Sequence, residues 1–266
     1  LDTSDEWITG RTGIKERRVV DGESTCDLAL EASKKALEMA EISASEIDLI
    51  ILATTTPDKI FPATATMLQN RIGANCPAFD LQAVCAGFIF ALTTAQQYIE
   101  NGVYKNVLVV GSETMSRIVD WSNRSTAVLF GDGAGAVVLS QDNKTGIKFS
   151  KIHSDGSYLS ALQVNNNYIN ETGYIEMTGN AVYKIAVNQL SNLADEIIKA
   201  CNLNSNEISW MIPHQANIRI ITAIAKRINI PMNKVVLTIE THGNTSSASI
   251  PLALDMAVRD GRIKKG

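Results

Sequence analysis

Two stretches of the 266-residue chain repeat one plan, and this repetition limits the fold more than any other feature. Residues 46–56 (EIDLIILATTT) hold a short apolar run, followed by a helical pattern ending at Gly73. Residues 76–88 (CPAFDLQAVCAGF) then read as a second strand whose C-terminal end opens another helix. The order recurs at residues 207–217 (EISWMIPHQAN), a helix, and residues 234–254 (KVVLTIETHGNTSSASIPLAL). Runs such as DLIILA (48–53) and NVLVVG (106–111) are apolar throughout, as in strands covered on both faces of a parallel sheet. Strands alternating with helices imply an α/β architecture, mostly parallel. Overlaying the two copies puts Cys85 opposite Asn244, and His214 opposite the loop at residues 54–56. Ligands of open α/β sheets bind beyond the carboxyl ends of strands, so Cys85, His214 and Asn244 are expected to converge on one pocket.

The rest of the chain fits around this plan. Ser4 or Asp5 is placed to cap a first helical turn, and residues 11–18 read as a basic loop. A helix is expected from Ser24 or Thr25 to Ala40, with Leu28, Ala32, Ala36 and Ala40 on one face. Residues 129–139 (LFGDGAGAVVL) lack the strand–GxGxxG–helix order and the Lys-Ser/Thr of a phosphate loop, so a glycine-rich turn between two strands is expected. Further strands are expected at residues 208–213 and 234–239, with helices at 179–201 and 217–228 and a last helix opening at residues 241–245. A division at 1–145 and 146–266 separates the two copies. Apolar residues make up 45% of the chain and charged residues 20%, enough for a large core and unlike a disordered chain. The net charge of −4 speaks against general nucleic-acid binding. Cys26, Cys76, Cys85 and Cys201 lie at spacings that suit neither a metal site nor a disulfide framework, so a reducing compartment, the cytoplasm, is expected. No apolar run reaches the roughly 18 residues of a membrane span, and no membrane partner is expected.

Cys85 sits where strand turns to helix, among the small residues Ala83, Ala86 and Gly87. Unpaired amides at a helix N-terminus favour thiolate over thiol, which suits a nucleophile. The plainer alternative is a cysteine used as a small buried hydrophobe. A histidine such as His214 is, taken alone, more often a core residue than a ligand, and Asn244 suits a helix N-cap.

The segments AVCAGF (83–88), HQAN (214–217) and HGNTSSASIP (242–251), in this order and spacing, closely resemble the β-ketoacyl-acyl carrier protein synthase III enzymes of bacterial fatty acid synthesis. The similarity runs from TSDEWITGRTGI (3–14) to AVRDGRIKKG (257–266). It implies a thiolase-like fold, a five-layer αβαβα arrangement of two pseudo-symmetric halves, and a homodimer. It also implies a further strand before Leu1, and strands with a glycine-rich turn after Gly266 that complete an oxyanion hole. An inactive truncated form is therefore one alternative.

The implied reaction is transfer of an acyl group from acyl-CoA to Cys85, then decarboxylative Claisen condensation with malonyl-acyl carrier protein. His214 and Asn244 would stabilise the enolate as neutral donors, and His214 would help deprotonate Cys85. The resemblance places Trp7 and Arg124 on either side of the CoA adenine, Arg11 on the nucleotide phosphates, and Asn180 and Asn217 on the pantetheine arm. Phe61 would project into the partner subunit's acyl pocket, with Met115 and Phe130 lining it; their bulk suggests a short-chain primer. Lys184, Arg219, Lys226 and Arg227 would dock the acidic carrier protein. No metal and no cofactor beyond the acyl-CoA substrate is implied. Rival readings are a papain-like cysteine hydrolase or thioesterase, which shares the Cys–His–Asn order but not the C-G-[SA]-C-[WY] signature, and a type III polyketide synthase-like enzyme.

Overall fold

The computed structural model describes residues 1–143, 146–165 and 173–264, so the expected division at 145/146 falls against residues outside the described set. Helix α1 (Asp5–Thr12) opens on Ser4, whose hydroxyl accepts the Trp7 amide at 3.2 Å, and ends at Gly13 with a left-handed φ of 79°. Helix α2 (Thr25–Ala40) begins with a full capping box between Ser24 and Asp27. Next come β1 (Leu49–Ala53), α3 (Thr64–Ile72), β2 (Ala78–Leu81), α4 (Gly87–Glu100) and β3 (Asn106–Thr114). The short α5 (Arg124–Ala127) and the strand β4 (Asp132–Ser140) follow.

These strands form one sheet in the order β2-β1-β3-β4, parallel except for the antiparallel edge strand β4. Alternation along β1 explains its unbroken apolar sequence. Ile50 and Leu52 pack with Leu30, Leu37 and Leu68 of α2 and α3, while Leu49, Ile51 and Ala53 pack with Phe88, Ala91 and Ala95 of α4. The inward face of α2 is Cys26, Ala29, Leu30, Ser33 and Leu37 rather than the expected row at 28, 32, 36 and 40. Those residues lie beside the true face, and the sheet, not the periodicity of alanines, selects between them.

The glycine-rich segment is not a turn between strands. Gly133 and Gly135 lie within β4. A Cβ at Gly135 would stand 2.8 Å from the Leu252 amide nitrogen, so the glycine admits close approach of a later helix.

The second half begins with the small ribbon of β5 (Leu162–Gln163) and β6 (Glu176–Met177). It continues with α6 (Gly179–Ala200), α7 (Ile218–Arg227), α8 (Ile239–His242) and α9 (Ser249–Arg259). The strands expected at 208–213 and 234–239 are reduced to a single parallel bridge, Met211 with Val235. Their side chains nevertheless divide between two faces. Ile208, Met211, Val235 and Leu237 face α6 and α7, while Trp210, Ile212 and Val236 face Ala253 and Ala257 of α9. From outside to outside the layers are α2 and α3, the main sheet, α4 with α9, the bridged extended segments, and α6 with α7. This is the expected five-layer order. The single helix expected from residue 241 is interrupted at Gly243 (φ 66°, ψ −154°) and resumes at α9.

Candidate active site

β2 ends at Leu81, and three residues in 3-10 conformation, Val84–Ala86, turn the chain into α4. Val84 has φ of 50°, a costly conformation for a β-branched residue that presents Cys85 at the head of the turn. Cys85 is half-buried and opens onto a cavity of about 1170 Å³, lined also by Phe79, Met115, Ile118, Phe130 and Ile175. The thiol does not follow the helix-dipole expectation. Burial pushes it up to about 11, with the Glu113 charge adding to the rise and the Ser246 hydroxyl beside it opposing. A rise from 9 to about 11 corresponds to roughly 3 kcal/mol, more than the roughly 0.3–1 kcal/mol a helix terminus supplies. At neutral pH the resting sulfur is a thiol.

His214 lies in the loop before α7. Burial drives its imidazole down to about 4, so it is neutral at pH 7. The Cys85 thiol and the His214 imidazole are thus both uncharged at neutral pH, and the uncharged imidazole is the form able to accept a proton. Nδ1 of His214 stands 2.6 Å from Ser249 Oγ, which also accepts the Gln215 amide at 3.2 Å. The serine O–H can donate to Nδ1, the arrangement that puts the ring hydrogen on Nε2; the other tautomer donates Nδ1–H to the serine oxygen. Gln215, fully buried, fixes the loop: its NH₂ donates to Pro213 and Val236 carbonyls, and its oxygen accepts the Thr238 and Ile239 amides.

Asn244 is buried in the break between α8 and α9. Its backbone pairs with the segment around Phe130, accepting from Gly131 at 3.0 Å and donating to Leu129 at 2.9 Å. Its Oδ1 accepts the Ser246 amide at 2.9 Å. A backbone N–H can only donate, so this bond settles which side-chain atom is oxygen. The NH₂ group is left without a partner among the described residues. Asn244 is not the expected N-cap, a position that falls to Thr245 before the 3-10 segment and to Ala248 before α9; its Oδ1 closes a local turn onto Ser246, and its NH₂ still presents a donor.

One six-residue turn, 244–249, collects the groups. Ser246 lies beside Cys85, Ser249 holds His214, and Asn244 carries the free amide. The 3-10 segment Ser246–Ala248 precedes α9 as Val84–Ala86 precedes α4, and Ser246 has a positive φ of 49° as Val84 does. By this correspondence Ser247, not Asn244, is the counterpart of Cys85; the sequence overlay was offset by three positions. Sequence reasoning also passed over Ser246, Ser249, Gln215 and Glu113. The run of hydroxyls at 246–249 on a segment otherwise read as an apolar helix was the available signal.

The other expected residues fall into three groups. Trp7 is flanked by two guanidinium groups, Arg11 at 4.9 Å and Arg124 at 4.8 Å from its ring centroid. Arg124 thus stacks directly on Trp7 and donates to the Asp2 carbonyl at 2.6 Å, so a base between them requires this arginine to withdraw. Asn217 caps α7 through the Arg219 amide, and Asn180 is exposed at the start of α6. Met115 and Phe130 are buried in the cavity wall, whereas Phe61 is 82% exposed and does not line it. Lys184 on α6 and Arg219, Lys226 and Arg227 on α7 lie on packed neighbouring helices. Arg219 sits over the Tyr183 ring, and Arg227 is held by Asn192 at 3.2 Å and Asp195 at 4.0 Å. His242 bonds locally to Thr241. Among the described residues, no group of three His, Cys, Asp or Glu side chains is placed to hold a metal ion, and no helix is long and apolar enough to cross a membrane.

Comparison with known proteins shows the family. Residues 79–156 match the family model of 3-oxoacyl-[acyl-carrier-protein] synthase III, and residues 198–266 match that of its C-terminal region. The chain is 70% identical to a β-ketoacyl-[acyl-carrier-protein] synthase III of Vesicomyosocius okutanii, over all of this chain and 85% of the relative. It is 55% identical to the enzyme of that name from Neisseria meningitidis, with the same coverage. Among solved structures, 3-oxoacyl-[acyl-carrier-protein] synthase III of Aquifex aeolicus superposes with a TM-score of 0.96 at 48% identity, over 100% of this chain and 85% of that one. The priming β-ketosynthase of the R1128 polyketide pathway superposes at 0.92 with 35% identity, over 100% of this chain and 82% of its own. The chain belongs to the β-ketoacyl-[acyl-carrier-protein] synthase III family of condensing enzymes.

Proposed function

We propose that this chain catalyses the initiating condensation of fatty acid synthesis, joining an acyl group from acyl-CoA to malonyl-acyl carrier protein. In the first step the Cys85 sulfur attacks the acyl-CoA carbonyl; the new thioester forms, CoA leaves, and the thiol proton departs with the CoA sulfur. In the second step the malonyl carboxylate leaves as CO₂, and the electron pair of the broken C–C bond delocalises onto the thioester oxygen. The Nε2–H of neutral His214 and the NH₂ of Asn244 donate to that oxygen. The resulting carbanion attacks the Cys85 thioester, forming the new C–C bond and breaking the C–S bond; the sulfur leaves as thiolate and takes a proton from water, and a 3-oxoacyl-acyl carrier protein is released.

The observation that carries this reading is the turn at 244–249, which engages His214 through Nδ1 and the Asn244 carboxamide through Oδ1, leaving Nε2 and the NH₂ group without a partner among the described residues, beside a cysteine at a strained strand–helix junction. Two neutral donors suit an enolate: they stabilise its charge without protonating it. By the same reading Trp7, Arg11 and Arg124 receive the CoA nucleotide, Asn180 and Asn217 the pantetheine arm, and Met115 and Phe130 a short acyl chain. Lys184, Arg219 and Lys226 meet the acidic carrier protein. The 82% exposure of Phe61 supports its insertion into a second subunit, and so a homodimer. The reaction needs no cofactor beyond its acyl-CoA substrate, and four free cysteines suit the cytoplasm.

Intact-mass spectrometry after incubation with acetyl-CoA tests the first step. An acetyl adduct on the parent and none on Cys85→Ala is the expected result. Addition of malonyl-acyl carrier protein should then discharge the adduct into a 3-oxoacyl thioester; release of free acid instead refutes condensation and favours the hydrolase reading.

A further inference from the structure

Behind the strand–helix junction lies a carboxyl group that the proposed reaction does not use. Glu113, near the end of β3, is fully buried, and no cation pairs with it among the described residues. Its two oxygens are instead surrounded by donors. Oε2 accepts the Thr55 amide at 3.0 Å, the Thr56 hydroxyl at 2.8 Å and the Thr54 hydroxyl at 3.2 Å. Oε1 faces the Thr55 hydroxyl at 2.8 Å and the Ser247 hydroxyl at 2.9 Å. The first four donors belong to the loop after β1. The fifth belongs to the second half of the chain, 134 residues later.

We propose that Glu113 is a positioning residue, whose buried carboxyl group ties the loop at 54–56 to Ser247 and thereby fixes the 244–249 turn against the strand ends that carry Cys85. The proposal rests on the function proposed above, since that turn is where Asn244 and the partners of Cys85 and His214 are found. Ser247 sits where the two halves approach closely. A Cβ at Gly111 would stand 2.4 Å from its carbonyl oxygen, and one at Gly87 3.4 Å from its own Cβ. Such close backbone approach has little tolerance, and the Ser247 hydroxyl holds it from two acceptors, Glu113 Oε1 and the Ala53 carbonyl, at 2.9 Å each, so loss of the Glu113 acceptor is felt along the turn. Glu113 touches no reacting atom and acts through Ser247. Its charge also contributes to the raised thiol of Cys85.

The hydrogen-bond pattern dictates the informative variants. In Glu113→Gln the amide oxygen must take the Oε2 position, because the Thr55 amide can only donate. The NH₂ then faces the Thr55 and Ser247 hydroxyls, both able to accept, and Ser247 retains an acceptor in the Ala53 carbonyl at 2.9 Å. Glutamine therefore keeps the tie. Glu113→Ala removes it, and Ser247→Ala cuts only the link between the halves.

The test compares these three variants with the parent by hydrogen exchange at residues 245–249 and by steady-state condensation. Positioning predicts at least about ten-fold faster exchange at 245–249 in E113A and S247A, and parent-like protection in E113Q. It also predicts kcat lower by about ten-fold or more in E113A and S247A with KM for acyl-CoA within about two-fold, and E113Q within about three-fold of the parent. Unchanged exchange in S247A overturns the proposal, as does an E113Q variant as impaired as E113A. Should E113A fail to fold, S247A and E113Q carry the same decision. A parent protein that condenses nothing would sink the proposed function, and the exchange comparison would still decide the role of Glu113.

Discussion

Acid should destabilise this protein through His214, and the size of the effect follows from one number. Burial lowers the imidazole from 6.5 to about 4, so between those values the unfolded chain binds a proton that the folded one refuses. Stability linked to this group is complete above pH 6.5 and is lost as pH falls toward 4. Integrated from pH 7.5 to 5.0, the loss is about 2 kcal/mol, with 1.36 kcal/mol for each unit. His242 is also held below its ordinary value by burial, so the parent's acid sensitivity contains both residues. The His214→Gln variant separates them: glutamine removes the titration while leaving a polar group near Ser249. Urea unfolding of parent and H214Q at pH 7.5 and 5.0, on the same chain and at one salt concentration, gives the difference directly. The parent should lose about 2 kcal/mol more than H214Q over that interval. Equal losses in the two proteins would refute the reasoning and mean that His214 remains hydrated in the folded state.

The remaining expectations concern the site. Asn244→Ala should lower malonyl decarboxylation by about 10²–10³ while leaving Cys85 acetylation intact, as read by CO₂ release against intact mass; equal loss in both steps would argue for a folding defect. Ser249→Ala frees Nδ1 and the ring tautomer, and should cut decarboxylation by about ten-fold with KM for acyl-CoA nearly constant. Alkylation of Cys85 by iodoacetamide should rise with pH toward an inflection near 11, and E113Q should move that inflection downward, since the Glu113 charge contributes to the rise; an unshifted profile would exclude that contribution. Lys226→Glu should raise KM for malonyl-acyl carrier protein and flatten its salt dependence, with KM for acyl-CoA unchanged, because exposed charge acts mainly on encounter.

Much of this protein is legible in its residues. Strand β1 could be read from DLIILA because a strand covered on both sides has no polar face to confuse its period. The caps of α1 and α2 are local, made by Ser4 and Ser24 within their own turns, and needed no tertiary information. Cys85, His214 and Asn244 were found because their flanking motifs are distinctive, and their order along the chain placed them near strand ends.

What the tertiary structure alone decided lies in contacts distant in sequence. The protonation of Cys85 is one: local reasoning from a helix N-terminus favours thiolate, but desolvation by the packed halves outweighs that dipole. The β4 glycines are another, since their purpose is the approach of α9, more than a hundred residues later. The true counterpart of Cys85 emerged only from matched backbone conformations at Val84 and Ser246, which no alternation of apolar residues encodes. The partners that orient the site, Ser249 for His214 and Ser247 with Glu113 behind Cys85, are ordinary polar residues in the sequence. They acquire their roles because folding buries them beside one another, where every donor must find an acceptor.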